Sequence, residues 1–344
     1  MTPFQHPIDP GLHPKCQTTL VGHQAAYDQL RQSFQSNAMP PVWLLAGERG
    51  IGKATLAYTI TREILAHEGQ DPALIARQIA QGSYPNFLVL ERSMNGEGKI
   101  PREITAEDGR KVNLFLRQCA AIPGWRVVMI DAVDEMNRTA ANALLKILEE
   151  PPAKTIFFLI THSLGQVLPT IRSRACKLQL FPLKDAEIAT SMNDDLPPEI
   201  LSLAQGSIGR AMALKQAGGL RLLDQVIQAM GGALKGDWRP VQALSASFDK
   251  DNPSYDVMLD LIIWTLHRLI LLAHLPLSEN ADDGKLGQLT KLKAMMHWVN
   301  AFQRINQFLE IARTSHLDRN HVIMAIFFMI ENPTVGDEFV YRSF

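Results

Sequence analysis

Cysteine is scarce in this chain, and neither sign of charge is in excess. Three cysteines, Cys16, Cys119 and Cys176, are spread over 344 residues, too few and too scattered for a disulfide framework or a zinc cluster. Lysine plus arginine number 34 against 35 for aspartate plus glutamate, so no large basic surface is expected. Any contact with nucleic acid should therefore be local or shared with partner subunits.

Long uncharged apolar runs are also missing. The first seven residues lack a charged region followed by an apolar core, so they do not predict a secretion signal. The most apolar stretch, residues 255–277, is interrupted by Asp256, Asp260 and Arg268. No uncharged span of about 18 to 20 residues is left for a membrane crossing. We therefore expect a cytoplasmic protein with no membrane partner, in which this stretch is a buried helix.

The first half of the chain alternates short apolar runs with helical patterns, which is typical of a parallel sheet covered by helices. The predicted strands span residues 42–46, 87–90, 127–130, 156–160 and 176–181. The first four meet glycine or a polar residue at the end where open α/β sheets bind ligands. After residue 182 only helical patterns follow. The predicted fold class is therefore α/β followed by all-α, with domains at 1–182, 183–235 and 236–344.

A glycine-rich loop follows the first predicted strand. Residues 47–54 read Gly-Glu-Arg-Gly-Ile-Gly-Lys-Ala, which matches the phosphate-binding motif G-x-x-x-x-G-K and departs from it only at the last position. Serine or threonine is expected there, because its hydroxyl ligates Mg²⁺. Ala54 cannot do so. The alternative is a glycine-rich turn that never bound a nucleotide.

The remaining residues of the loop suit a nucleotide. Gly47, Gly50 and Gly52 would let backbone N–H groups converge on phosphate oxygens at a helix N-terminus, and Lys53 would reach the β- and γ-phosphates. Thr55 offers a hydroxyl next to the missing one, but one step along a helix rotates a side chain by about 100°. We expect no required cofactor, and weak binding of ATP or ADP stays open.

The third predicted strand ends at a second loss. Residues 127–134 read Val-Val-Met-Ile-Asp-Ala-Val-Asp, so Asp131 stands where P-loop ATPases hold Mg²⁺. Ala132 stands where many of them carry a second acid that positions water. Asp131 could still assist a metal, or it could only cap the loop after a buried strand. The losses at 54 and 132 together predict no ATP turnover.

The stretch after Asp134 predicts a helix, with Asn137 as its N-cap and Pro151 at its end. Its apolar face would consist of Ala141, Leu144, Leu145 and Leu148. With the phosphate loop, this stretch closely resembles the clamp-loader branch of the AAA+ proteins. With the two losses, it is similar to the ATPase-inactive subunits of bacterial DNA polymerase III clamp loaders. The resemblance covers the α/β domain, and the helical remainder only in layout.

The resemblance assigns roles to two residues beyond the loop. Thr161 would be a sensor of the γ-phosphate, although a hydroxyl that merely closes a strand end is the alternative. Arg174 matches the arginine of a Ser-Arg-Cys motif that projects into a neighbouring subunit's ATP site, with Ala175 in the usual cysteine position. Its alternative is a surface arginine in a salt bridge. Arg172 fits this role less well by its spacing.

Two further features of the family are altered or missing here. A sensor arginine usually follows a Gly-Ser-x-Arg pattern, whereas Arg210 comes one residue late and would be turned off the expected face. Many relatives carry four zinc-binding cysteines after the phosphate-loop helix, and residues 66–86 contain none. We therefore expect no zinc or other bound metal.

The implied protein is an AAA+ P-loop domain with a small helical lid and a C-terminal helical collar for oligomerisation. As an ATPase-inactive subunit it would help load a sliding clamp onto primed DNA, giving Arg174 to a neighbour in trans. Its partners would be ATP-hydrolysing motor subunits, a delta-type subunit, primed DNA within the complex and, indirectly, the clamp. Alternatives are a self-sufficient AAA+ ATPase, such as a motor-type clamp-loader subunit or helicase loader, and a nucleotide-free scaffold unrelated to replication.

Overall fold

The structure is a computed structural model. It describes residues 13–92, 103–118, 120, 122–192, 196–248, 252, 254–274, 281–315 and 317–334. The strands are β1 Val42–Ala46, β2 Phe87–Glu91, β3 Arg126–Asp131, β4 Thr155–Thr161 and β5 Cys176–Gln179.

Helices precede, connect and follow these strands. In the first half of the chain they are α1 Gln24–Gln35, α2 Lys53–Ala66, α3 Pro72–Gln81, α4 Ala106–Arg117, α5 Arg138–Glu149 and α6 Pro169–Arg172. The second half contains α7 Asp185–Ser191, α8 Pro198–Ala204, α9 Ile208–Gln216, α10 Gly219–Leu234, α11 Arg239–Ala246, α12 Tyr255–His274, α13 Ala281–Thr290, α14 Met295–Ser315 and α15 Arg319–Glu331. Short 3-10 helices span Pro14–Cys16 and Val133–Glu135.

The strands lie where the sequence predicts them, and their ends differ by at most two residues. The largest difference is at β5, which ends at Gln179 and not at Phe181. Gln179 is paired with Ala46, the last residue of β1, so no partner strand is left beyond it. Phe181 is consequently exposed.

All five strands are parallel, in the order β2-β3-β4-β1-β5. Parallel pairing brings the carboxyl ends of the strands to one edge. Ala46 is opposite Thr161, and Glu91 is opposite Asp131. The glycine-rich loop leaves β1 between β4 and β5, and such an edge is where open α/β sheets bind ligands.

Each face of the sheet is covered by an apolar layer, and this explains why the inner strands β1, β3 and β4 are apolar at successive positions. Trp43 and Leu45 of β1 point into the layer that also holds apolar side chains of α1, α2 and α3. Val42 and Leu44 point to the opposite face, into the layer formed with α4, α5 and α6. The first half of the chain is therefore an α/β domain, as the sequence predicts.

By compactness the chain divides into two units, one of residues 7–211 and the other centred on residues 212–344. The second unit is helical, and within it α10 packs against α11, α12 and α15. Among the described residues after Gln179 there is no strand. The sequence-based domain boundaries at 182 and 235 stay predictions.

The apolar helix α12 belongs to the core of the second unit. By length and composition alone it could cross a membrane, but 44% of its most apolar 18-residue stretch is buried inside the protein. It packs against α10, α13 and α14, with Leu261, Leu266 and Leu269 fully enclosed. This helix is the buried one that the interrupting charges predict.

Candidate functional site

The glycine-rich loop runs from β1 to the first residue of α2 and is in tight contact with its surroundings. A Cβ at Gly47 would lie 2.6 Å from the carbonyl oxygen of Leu180. Gly50 has φ of 77°, and a Cβ there would lie 2.4 Å from the Ser207 hydroxyl oxygen. Only glycine fits at Gly50, because a side chain would be both strained and obstructed.

Lys53 is turned back onto its own loop. Its side chain is buried, with the residue 3% exposed, and the amine donates hydrogen bonds to the carbonyls of Gly47, at 2.8 Å, and Glu48. Burial lowers the pKa of Lys53, while the nearby carboxylates of Asp131 and Asp134 oppose the shift. Two of the three N–H donors of the Lys53 amine, which a phosphate would need, are thus used by carbonyl groups of the loop.

The start of α9 closes over the loop. The Ser207 hydroxyl donates to the carbonyl of Arg49 at 3.2 Å, and the Gly209 amide donates to the carbonyl of Gly50 at 3.0 Å. Where the loop and α9 come closest, their backbones leave no room for side chains, since a Cβ on Gly209 would lie 3.2 Å from the Gly50 Cα. The loop and α9 are therefore joined by backbone contact.

A nearly buried carboxylate ties the loop to the sheet edge. Glu135 accepts hydrogen bonds from Arg92 at 2.7 Å and from Arg49 of the loop at 3.2 Å. The Glu135 and Arg92 side chains are only 10% and 8% exposed, and burial at this level favours paired charges. A second contact to the loop comes from His23, whose Nε2 donates to the Ile51 carbonyl at 2.7 Å.

Alanine occupies the two positions where a hydrolytic site would carry a hydroxyl group and a second acid. Ala54 packs against the apolar layer of α1 to α3, and Ala132 is buried beyond the end of β3. Burial raises the pKa of Asp131, and the charge of Lys53 opposes this shift. Of the acids expected of a hydrolytic site, Asp131 is therefore the one that remains.

The acid two residues beyond Ala132 has a structural role. The Asp134 carboxylate accepts backbone hydrogen bonds from His162, at 3.1 and 3.2 Å, and from Ser163 at 3.1 Å. The hydroxyl of Thr161 also accepts from the Ser163 amide, at 3.2 Å, and Thr161 is fully buried. Asp134 thus links β3 to β4, and the Thr161 hydroxyl closes the end of β4.

Arg174 lies apart from the loop, between α6 and β5. Its guanidinium forms an ion pair with Glu149, the last residue of α5, and donates to the Thr170 carbonyl at 2.8 Å and the Ser173 hydroxyl at 3.2 Å. The Arg174 side chain is 32% exposed and that of Glu149 is 47% exposed. In this single chain Arg174 therefore forms a surface salt bridge, which was the alternative to the trans-acting role, and its side chain still reaches solvent.

The two other arginines singled out in the sequence bind locally. Arg172 donates to the Leu164 carbonyl at 3.4 Å and is exposed. The Arg210 guanidinium donates to the Gln205 side chain at 3.0 Å, while its backbone amide donates to the Ser207 hydroxyl at 3.1 Å. The structure thus gives Arg210 a contact at the beginning of α9, and a sensor role stays untested.

Sequence reasoning missed the residues that hold the loop in place, namely His23, Arg92, Glu135 and Ser207. Arg92 and Glu135 each follow a strand that ends in an acidic residue, and this pattern could have marked them as residues of the sheet edge. Strand order is needed to bring them together, because only the ends of neighbouring strands lie close to each other along the sheet edge. Among the described residues no group of three or more histidine, cysteine, aspartate or glutamate side chains could hold a metal ion.

Comparison with known proteins finds similarity to subunits of bacterial DNA polymerase III. Residues 22–184 match the family model described as DNA polymerase III, delta subunit. The subunit delta' of DNA polymerase III from Pseudomonas aeruginosa is 33% identical over 209 residues, which cover 56% of this chain and 61% of the relative. The same subunit from Escherichia coli is 30% identical over 228 residues, covering 62% and 66%.

This chain thus aligns with less than two thirds of the length of these relatives. Among solved structures, a DNA polymerase III gamma-subunit-related protein from Thermotoga maritima aligns with a TM-score of 0.41 and 17% identity. That alignment covers 89% of this chain and 99% of the other.

Proposed function

We propose that this chain, which is similar to the delta-prime subunits of DNA polymerase III, is an ATPase-inactive subunit of a clamp loader in DNA replication. In this role it would work in the cytoplasm beside ATP-hydrolysing motor subunits and a delta-type subunit. The complex as a whole would open a sliding clamp and place it on primed DNA.

The main support for the absence of ATP hydrolysis is the arrangement of the glycine-rich loop. The Lys53 amine is bound by loop carbonyls, no hydroxyl stands at Ala54, and Ala132 cannot position water. Mg²⁺ would lack a ligand and the attacking water would lack a base, which are the two contributions of such a site to phosphoryl transfer. We infer that the loop serves the fold and that this chain requires no nucleotide.

The contribution of the chain to catalysis would be Arg174. A guanidinium given in trans neutralises charge on the phosphoryl group during transfer. Arg174 stands on the domain's surface at the end of α6, partly exposed, and its bonding partners come from α5 and α6 and not from the glycine-rich loop. This placement supports a role in a neighbour's site.

The test uses the complex reconstituted from this chain with gamma or tau and delta subunits of the same organism. Arg174→Ala should leave assembly intact and lower the ATPase rate stimulated by primed DNA and clamp. Arginine fingers contribute about 10³- to 10⁵-fold in small GTPases, but one site among several is affected here, so the bulk rate falls less. Arg174→Lys should be defective as well, because a point charge lacks the planar multi-donor fork.

Arg172→Ala is the matched control, since Arg172 is a neighbouring exposed arginine, and its effect should be milder. Wild-type rates in all three variants would contradict the trans-acting role. Turnover by the isolated chain that disappears in Lys53→Ala would point to a self-sufficient ATPase. Failure to form any discrete complex with clamp-loader subunits would favour a scaffold outside replication.

A further inference from the structure

The ion pair between Glu149 and Arg174 joins two elements that are distant in sequence. Glu149 is the last residue of α5, and Arg174 follows the short helix α6 by two residues. The carboxylate of Glu149 takes one terminal nitrogen of the guanidinium, and the neutral acceptors on Thr170 and Ser173 share the other. The charged partner and the neutral partners therefore occupy different nitrogens of one side chain.

A phosphoryl group and a carboxylate are alternative partners for the same guanidinium. Both accept charge-assisted hydrogen bonds from its planar fork of donors. A carboxylate that stays on Arg174 would neutralise the charge offered to a phosphoryl group and would repel that group as well. The neutral bonds to Thr170 and Ser173 carry no such penalty, so they can persist while the Glu149 contact is exchanged.

We propose that Glu149 holds Arg174 in a resting position from which a neighbour's nucleotide must take it. The inference rests on the proposed function of Arg174 and adds the residue that restrains it. Glu149 is a positioning residue in this scheme, since it acts on the nucleotide only through Arg174. The single chain has the restrained state, and a neighbouring subunit carrying ATP would stabilise the released one.

The restraint is expected to be weak. Exposed ion pairs stabilise little in high dielectric, and added salt screens them over a distance of about 10 Å at 0.1 M. Removing the carboxylate should therefore shift the balance toward the released arginine by a small factor. We expect Glu149→Gln to raise the ATPase rate of the complex without DNA and clamp about two- to five-fold.

The experiment compares reconstituted complexes containing the wild-type chain, Glu149→Gln, Arg174→Ala or both substitutions. Glu150→Gln is the control, since it makes the same change of charge on the next residue, which is also exposed. It should leave the rate unchanged. The increase caused by Glu149→Gln should be absent when Arg174 is alanine, because the carboxylate acts only through that arginine.

A second readout uses the isolated chain and no ATPase at all. The rate at which a dicarbonyl reagent modifies Arg174, followed by peptide mass spectrometry, should rise in Glu149→Gln and stay unchanged in Glu150→Gln. An unchanged modification rate would mean that the ion pair does not restrain Arg174 in solution, and this would overturn the proposal.

The ATPase data separate the remaining outcomes. A lower rate in Glu149→Gln would mean that the carboxylate aims Arg174 and does not restrain it, and an unchanged rate would mean that release is not limiting. Either result overturns the restraint while the finger role stands. If Arg174→Ala itself has no effect, the finger role fails and the restraint fails with it, even where the reagent confirms the ion pair.

Discussion

At the scale of single residues, the chain's own charged groups bind the polar groups of the glycine-rich loop. Lys53 binds two loop carbonyls, and Arg49 is paired with Glu135. Buried charges of this kind are held by their partners, and removing one partner costs more free energy than the pair itself contributes. A nucleotide would have to compete with these contacts before it could bind.

Burial of Lys53 leads to a prediction about pH. Burial lowers the pKa of Lys53 to about 8, below the value of about 10.4 in an unfolded chain. Between these values the folded protein binds fewer protons than the unfolded protein does, so stability should rise with pH across this window. Urea unfolding of the wild-type chain and Lys53→Met at several pH values measures this contribution as their difference.

The control for this series is Lys177→Met, a substitution of an exposed lysine on β5. It measures how far the removal of a lysine by itself changes the pH dependence of unfolding. A flat difference between the wild type and Lys53→Met would show that Lys53 loses its proton at the same pH in both states, contrary to the expectation.

At the scale of elements, contact with the glycine-rich loop holds the beginning of α9 in place. Ser207 both bonds the Arg49 carbonyl and caps the amide of Arg210. Gly50 and Gly209 allow the backbones to meet. A loop that binds phosphate in other proteins is therefore a contact surface for a helix in this one.

Gly50→Ala should destabilise the protein by about 2 kcal/mol, because it combines a positive φ with the close approach of the Ser207 hydroxyl. Ser207→Gly in the same chain should recover part of this loss by removing that hydroxyl, giving a coupling of about 0.5 kcal/mol or more. Gly218→Ala measures the backbone cost alone, since its φ is 62° and a Cβ there would meet nothing within 4 Å. Strictly additive free energies of unfolding would contradict the contact.

At the scale of the whole molecule, the two compact units have different surfaces. Among the described residues, the exposed large apolar side chains of the second unit are Leu271, Leu292, Met295, Met296, Ile311 and Leu317. Leu74, Leu114 and Phe181 are their counterparts in the first unit. The second unit thus has six such side chains against three in the first. Exposed apolar surface is found at many protein interfaces, and this supports the expectation that the C-terminal helices form a collar for oligomerisation.

A chain that ends at Gly218 should fold and should no longer join the complex. Residue 218 lies between α9, which contacts the loop, and α10, whose buried Leu222 and Val226 pack within the second unit. Ending the chain after α10 would leave that apolar face uncovered. Cooperative urea unfolding tests the fold of the shortened chain, and gel filtration with the partner subunits tests assembly. Elution with its partners at full stoichiometry would show that the C-terminal helices are not needed.

The amino-acid sequence alone determined the class of the fold and the degenerate chemistry. The apolar runs predicted β1 to β5 to within two residues. The signal is strongest in β1, β3 and β4, because strands buried on both faces must be continuously apolar. Asn137 was predicted as the N-cap of α5, and its side chain does accept from the Ala140 amide at 2.8 Å. Ala54 and Ala132 were recognisable because a motif specifies which chemical group belongs at each position.

Only the tertiary structure decided which groups meet. Glu135 contacts Arg92 because β2 and β3 are neighbours in the sheet, and Glu149 contacts Arg174 because α5 and α6 pack on the same face of the sheet. The partners are 43 and 25 residues apart in the chain, and local pattern contains no information about such distances. Spacing and motif depend on neighbours along the chain, whereas ion pairs and close backbone contacts depend on which elements pack together.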